Sequence, residues 1–157
     1  MGFKKTSDTV AISFDIAEAV TDTFIQEQIN LTLDVLNQEV FVVLAVDLDP
    51  IPPSINPGLN SQVQMSVCST EQTDVQSLAN TNCFAEERLS IRQDAGGTLA
   101  VGFTMSNGST PPATMDYIGI LATNNFFVQL RGNNNLSVRN GTGRVWGYRA
   151  RADSSTY

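Results

Sequence analysis

The sequence predicts an all-β protein built as an antiparallel β-sandwich, and three observations predict it. From residue 24 onward, apolar and polar side chains alternate with a period of two. Turns rich in Asn, Gly and Pro interrupt the alternation at short intervals. Between those turns no stretch carries helical spacing, which excludes βαβ units.

The elements follow in order. Residues 13–24, "SFDIAEAVTDTF", place Phe14, Ala17 and Val20 or Phe24 near helical spacing, so residues 1–22 are expected to be an N-terminal arm or short helix. In residues 24–36, Ile25, Ile29, Leu31, Leu33 and Val35 share one face, opposite Gln26, Gln28, Asn30 and Thr32. A turn at Asn37-Gln38 leads into "EVFVVLAVDLD", as a hairpin or as a corner between sheets. The prolines of "PIPPSINPGLN" enforce a loop, with a turn at Asn56-Pro57-Gly58. Alternation resumes through Val63, Met65 and Val67, and the polar residues 70–82 read as a long surface loop. The strand "FAEERLSIRQD" turns at 94–97 into "TLAVGFTMS", a hairpin with Leu99, Val101, Phe103 and Met105 on one face. After the loop 107–114 come "MDYIGILA", a turn at 123–125, "FFVQLRG", "LSVRN", a turn at "GTG" and the closing strand "RVWGYRARA".

Eight to ten short strands with long loops among tight hairpins fit a single eight-stranded jelly roll over 23–157. An immunoglobulin-like sandwich ranks second, because Trp146 follows both cysteines. No repeat of fixed period is visible, so propellers and solenoids are not expected.

The 157 residues carry a net charge of −7, which speaks against a general nucleic-acid binder. The charge is uneven: residues 1–100 hold 4 basic and 14 acidic side chains, whereas 101–157 hold 5 basic and 2 acidic. Opposite patches of this kind can meet between copies of one subunit. No apolar run approaches a membrane span, and the first residues lack the apolar segment of a signal peptide, so a soluble chain is expected.

There is no histidine. Ser-His-Asp and Cys-His catalysis and most zinc sites are thereby excluded. No phosphate loop or nucleophile elbow is present, and a non-catalytic protein without a cofactor is the expectation. Cys68 and Cys83 enclose 14 residues. A disulfide there would add about 3 kcal/mol, but without a secretion signal two free thiols are favoured. Asp47 and Asp49 project from the same face of a strand end and are weak candidates for a metal, Ca²⁺ usually needing more oxygen ligands. "MGFKKT" matches a myristoylation pattern, the only route to membrane contact. Sequons occur at Asn30, Asn107, Asn135 and Asn140. Trp146 and Tyr148, with Phe126 and Phe127, would serve as core or subunit interface, or as a stacking platform for sugars or bases.

The strand 39–49 is apolar on both faces. Val40, Val42, Leu44, Val46 and Leu48 form one, and Phe41, Val43 and Ala45 the other. One face of a sandwich strand meets the core and the other normally meets water. The second face therefore needs a cover, either the arm or another subunit, and Phe41, Val43 and Ala45 are the interface candidates.

This pattern resembles the single jelly-roll capsid proteins of icosahedral viruses. The resemblance rests on the short arm, the β-only body, "EVFVVLAVDLD" followed by "PIPP", and the tail "FFVQLRGNNNLSVRNGTGRVWGYRARADSSTY". It is nearest to the small upright jelly rolls of tailless DNA viruses of archaea and bacteria. The resemblance implies a virion protein, assembled in the host cytoplasm into a shell with copies of itself and a second capsid protein. Such proteins often carry a strongly basic arm; here only Lys4 and Lys5 could play that part, so direct nucleic-acid binding is not expected. The alternative is a virion-surface, fibre or carbohydrate-binding module that recognises a receptor or glycan through its long loops.

Overall fold

The computed structural model describes residues 3–94, 96, 98–106 and 117–152. Ten strands are present among them: β1 (Phe3–Lys5), β2 (Val10–Ala17), β3 (Ile25–Asn30), β4 (Glu39–Pro50), β5 (Ser61–Cys68), β6 (Cys83–Gln93), β7 (Ala100–Ser106), β8 (Gly119–Leu121), β9 (Asn125–Asn133) and β10 (Asn140–Ala152). They form two antiparallel five-stranded sheets. In the first, β10 pairs with β4 on one side and with both β1 and β2 on the other, and β4 pairs onward with β8. The second runs β3-β9-β5-β6-β7.

The pairing explains the winding. Leaving out β1 and β7, eight strands remain, and they pair from the outside of the chain inward: β2 with β10, β3 with β9, β4 with β8, β5 with β6. A ribbon of four nested antiparallel pairs, wrapped so that its strands alternate between two sheets, is a jelly roll. The fold class expected from alternation and turns is the one observed.

Several local expectations change. Residues 10–17 form β2 along β10, not a helix or arm, because Phe14 and Ile16 alternate into the core. The strand expected over 24–36 stops at Asn30; Thr32 has φ 55°, a left-handed conformation costly for a β-branched residue, and the chain then crosses to the other sheet. The corner is held where Asn124 accepts from Leu31 N at 2.8 Å and, through its side chain, from Leu33 N. Residues 141–143 are not a turn; they lie inside β10, and 136–140 is mostly loop. Glycines suit both positions: a Cβ at 141 would meet the end of the Met65 side chain, and one at 143 would come within 2.5 Å of the Phe14 ring and 2.9 Å of Asp47 O. The turn at 56–58 forms as expected, with Leu59 N donating to Asn56 O at 3.0 Å and Gly58 at φ 79°. The hairpin of β6 and β7 also forms.

The core lies between the sheets. Phe14, Phe41, Val43, Leu48 and Val145 from the first meet Val63, Met65, Val67, Phe126, Val128 and Leu130 from the second. Phe14 and Phe126 meet edge to face at 6.2 Å. The loop 69–82 folds over the outer face of the second sheet. There the buried Gln129 accepts from Ser66 Oγ at 2.8 Å and donates to Gln26 at 2.8 Å. Loop amides of Gln72 and Gln76 complete that polar ladder.

Candidate functional site

The register of β4 against β10 shifts between Trp146 and Gly147, leaving Leu44 as the extra residue of a bulge. The bulge changes which side chains point inward halfway along the strand. Phe41 and Val43 face the core before it; Val46 and Leu48 face the core after it. This corrects the proposed interface. Phe41 and Val43 are fully buried between the sheets and unavailable to a partner, and of the three candidates only Ala45 is exposed. The apolar outer face exists but is made of Val40 and Val42 with Ala150 and Ala152. It is covered within the chain, since Leu44, Tyr117, Ile120 and Tyr148 pack on it.

Beyond the bulge the outer face becomes polar. Antiparallel register puts Ser13, Arg144 and Asp47 in one row and Asp15, Thr142 and Asp49 in the next. Together with Trp146 they line an open groove of about 560 Å³. Arg144 donates to Ser13 Oγ at 3.1 Å and lies 5.7 Å from the centre of the Trp146 ring. Lys5 covers Tyr148 in the same way at 4.9 Å. Each aromatic ring thus already holds a cation from its own chain. Among the described residues no group of three or more acidic, Cys or His side chains is placed to hold a metal. A further carboxyl, Glu87 of β6, comes within the field of Asp47 and Asp49. Burial, and then the charges of Asp47 and Asp49, push its pKa up to about 7. No local sequence signal links residue 87 to 47 and 49.

At the end of the sandwich where the loops 18–24, 51–60 and 134–139 meet, a network that the sequence did not disclose holds them together. Glu18 is buried, and its two oxygens accept from Gly132 N at 3.0 Å and Arg139 N at 2.7 Å. Asn135 is buried too: its amide N donates to Asp22, its side chain donates to Gln62 O at 3.1 Å and accepts from Ser54 N at 2.9 Å. Arg139 reaches Pro52 O at 3.0 Å, and Asn56 reaches Asn134 O at 3.2 Å. The same loops expose Val20, Ile51, Ile55, Leu59, Leu136 and Val138. The signal that could have found them is an isolated aliphatic residue inside a stretch of prolines and asparagines, as Ile55 is.

The remaining candidates are placed as follows. Cys68 and Cys83 face each other across β5 and β6 as buried free thiols. Their shared hydrogen bond and then burial push the Cys68 thiol far above its ordinary pKa. Of the sequons, Asn30 is exposed, Asn140 half-buried and Asn135 buried; Asn107 lies outside the described residues, as do Met1 and Gly2 of the myristoylation pattern. Phe126 is core and Phe127 half-buried.

Fold and surfaces together define a jelly-roll sandwich with a hydrogen-bonded, partly apolar loop end. No family model and no curated protein sequence matches the chain. Among solved structures that are similar in part are two of viral origin. A chain of Desmodium yellow mottle tymovirus aligns over 95% of this chain and 91% of its own, at 10% identity and a TM-score of 0.35. The tailspike protein gp49 of Acinetobacter baumannii bacteriophage Fri1, a capsular polysaccharide depolymerase, aligns over 83% of this chain and 20% of its own, at 11% identity and a TM-score of 0.17. Superpositions of this quality establish no relationship.

Proposed function

We propose that this chain is a structural virion protein, a non-catalytic capsid subunit that assembles in the host cytoplasm, with copies of itself and other capsid proteins, into an icosahedral shell. The observation that carries the reading is the loop end. Val20, Ile55 and Leu136 are 62%, 65% and 67% exposed, on three loops cross-linked by hydrogen bonds. Exposed aliphatic side chains on loops that meet at one end support the reading of a contact surface. Loops already held in place lose little entropy on docking. The N-terminal residues that could touch a polyanion or membrane contribute only Lys4 and Lys5, both in β1, and Lys5 is engaged by Tyr148.

Mass photometry and electron microscopy of the purified protein test the reading: oligomers or closed shells, shifting with salt, are expected. A strict monomer at every concentration overturns it.

A second reading is favoured by the groove, where Trp146, Arg144, Thr142 and three carboxylates offer the donors, acceptors and apolar surface that a sugar requires. Under it the chain is a surface or fibre module that recognises a glycan. Glycan-array binding abolished by Asp47→Ala, from a protein that stays monomeric, would select this reading over the first.

A further inference from the structure

We propose that the edge strand β7 is a self-pairing surface, joining two copies of this chain antiparallel across a two-fold axis into one continuous sheet. The choice of a second copy as occupant rests on the self-assembly reading above; the strand itself is read independently.

A sheet edge offers unpaired backbone donors and acceptors, and proteins that stay monomeric blunt it with charge, proline or brevity. The other free edges here are blunted. In β3, Glu27 sits opposite Val128, on the core-facing side of the sheet, and is exposed. The first sheet ends on one side at β1, with Lys4 and Lys5, and β2, with Asp15. On its other side β8 is only 3 residues long, and the part of β4 beyond it carries Asp47, Asp49 and Pro50.

β7 has none of these devices. Residues 98–106 hold no charge and no proline, and among the described residues β7 pairs only with β6. Its register with β6 places Val101 and Phe103 opposite Arg92 and Ser90. They are on the outer face, since Ser90 in turn lies opposite Gln62, and the next residue, Val63, points into the core. Leu99, Val101 and Phe103 are 71%, 55% and 53% exposed. Antiparallel pairing of a strand with its own copy is two-fold symmetric by construction, so one surface serves both partners. It sets aromatic and β-branched side chains across from one another, the favourable cross-strand combination, with no like charges opposed. A ridge of three side chains buries a few hundred Å² per copy, short of the roughly 800 Å² per partner of a standard stable interface. The pair is therefore weak alone and belongs in a structure where each copy has several neighbours.

The test measures sedimentation and amide hydrogen exchange on the full chain across a concentration series, for wild type, Val101→Lys and Phe103→Lys. Both side chains are exposed, so circular dichroism should show both variants folded; should one fail to fold, the other carries the comparison. The expected result is a concentration-dependent dimer in which the β7 amides gain protection, with dimer and protection lost in the variants. Larger assemblies that persist unchanged in both variants would overturn the pairing while leaving the capsid reading intact. Dimers that never grow, but vanish in the variants, would support the pairing and overturn the capsid reading. A monomer whose β7 amides are already protected means that this chain covers its own edge, and a monomer with unprotected amides means that no copy does; either overturns the pairing.

Discussion

Glu18 shows what one side chain does for the loop end. Its carboxylate takes the backbone N–H groups of Gly132, in β9, and Arg139, in the loop that follows, at 3.0 and 2.7 Å, in a buried position and from 114 and 121 positions away. Glu18→Gln replaces one acceptor by an NH₂ group aimed at a donor, and should cost about 1–3 kcal/mol of stability, read from urea unfolding. An unchanged midpoint would show that the network is not needed. Glu87 works in the opposite sense. Its folded pKa, up to about 7, lies above the ordinary 4.5, so the folded chain holds this proton more tightly than the unfolded one. Stability from this group therefore falls as pH rises from about 4.5 to about 7, and the penalty is complete above that range. Glu87→Gln should flatten that slope and stabilise by about 1 kcal/mol at pH 8, a figure reduced because water screens a half-buried carboxyl. Equal slopes for wild type and variant would exclude the effect. Neither residue stood out in the sequence, because each acts on groups distant in the chain.

At the scale of elements, β4 is decisive. Strict alternation places Phe41, Val43 and Ala45 on one face, and the bulge at Leu44 divides that set between core and water. A bulge leaves no mark in an all-apolar run, since Val, Leu and Ala fit either side of it. Phe41→Asp should consequently abolish the fold rather than release a subunit contact, seen as loss of the cooperative thermal transition. Gly147 is the partner of the bulge: a Cβ there would run into the backbone oxygen of Val42 and lie 2.5 Å from Phe41. Gly147→Ala should destabilise by about 1–3 kcal/mol through overpacking, lowering the melting temperature by several degrees. An unshifted transition would mean that the sheet yields there freely. The hairpin of β6 and β7 and the proline loop after β4 were legible, because turn chemistry is local.

For the whole molecule, the nested pairing turns separate loops into one end. Ile55 and Leu136 stand 81 positions apart in the numbering, yet their loops share the bond from Ser54 N to Asn135. The double substitution Ile55→Asp with Leu136→Asp should leave the melting temperature within a few degrees of wild type, since both side chains are exposed. It should also remove higher-order assembly in mass photometry. Assembly that survives would move the contact surface elsewhere on the sandwich.

By itself the sequence determined the class of fold. Alternation with period two and turns of Asn, Gly and Pro are encoded locally, and they suffice for an antiparallel sandwich whose strands mostly lie where expected. The absence of histidine is equally a property of the sequence, and it removes whole classes of chemistry. Tertiary structure alone decided which apolar face of β4 is the core, which loops meet at one end, and that, among the described residues, the uncharged strand β7 lies at the border of its sheet. Those features depend on register, on a single extra residue in a strand, and on pairings between residues a hundred positions apart. No local pattern carries that information, because the physical interactions that set it exist only once both sheets have closed on each other.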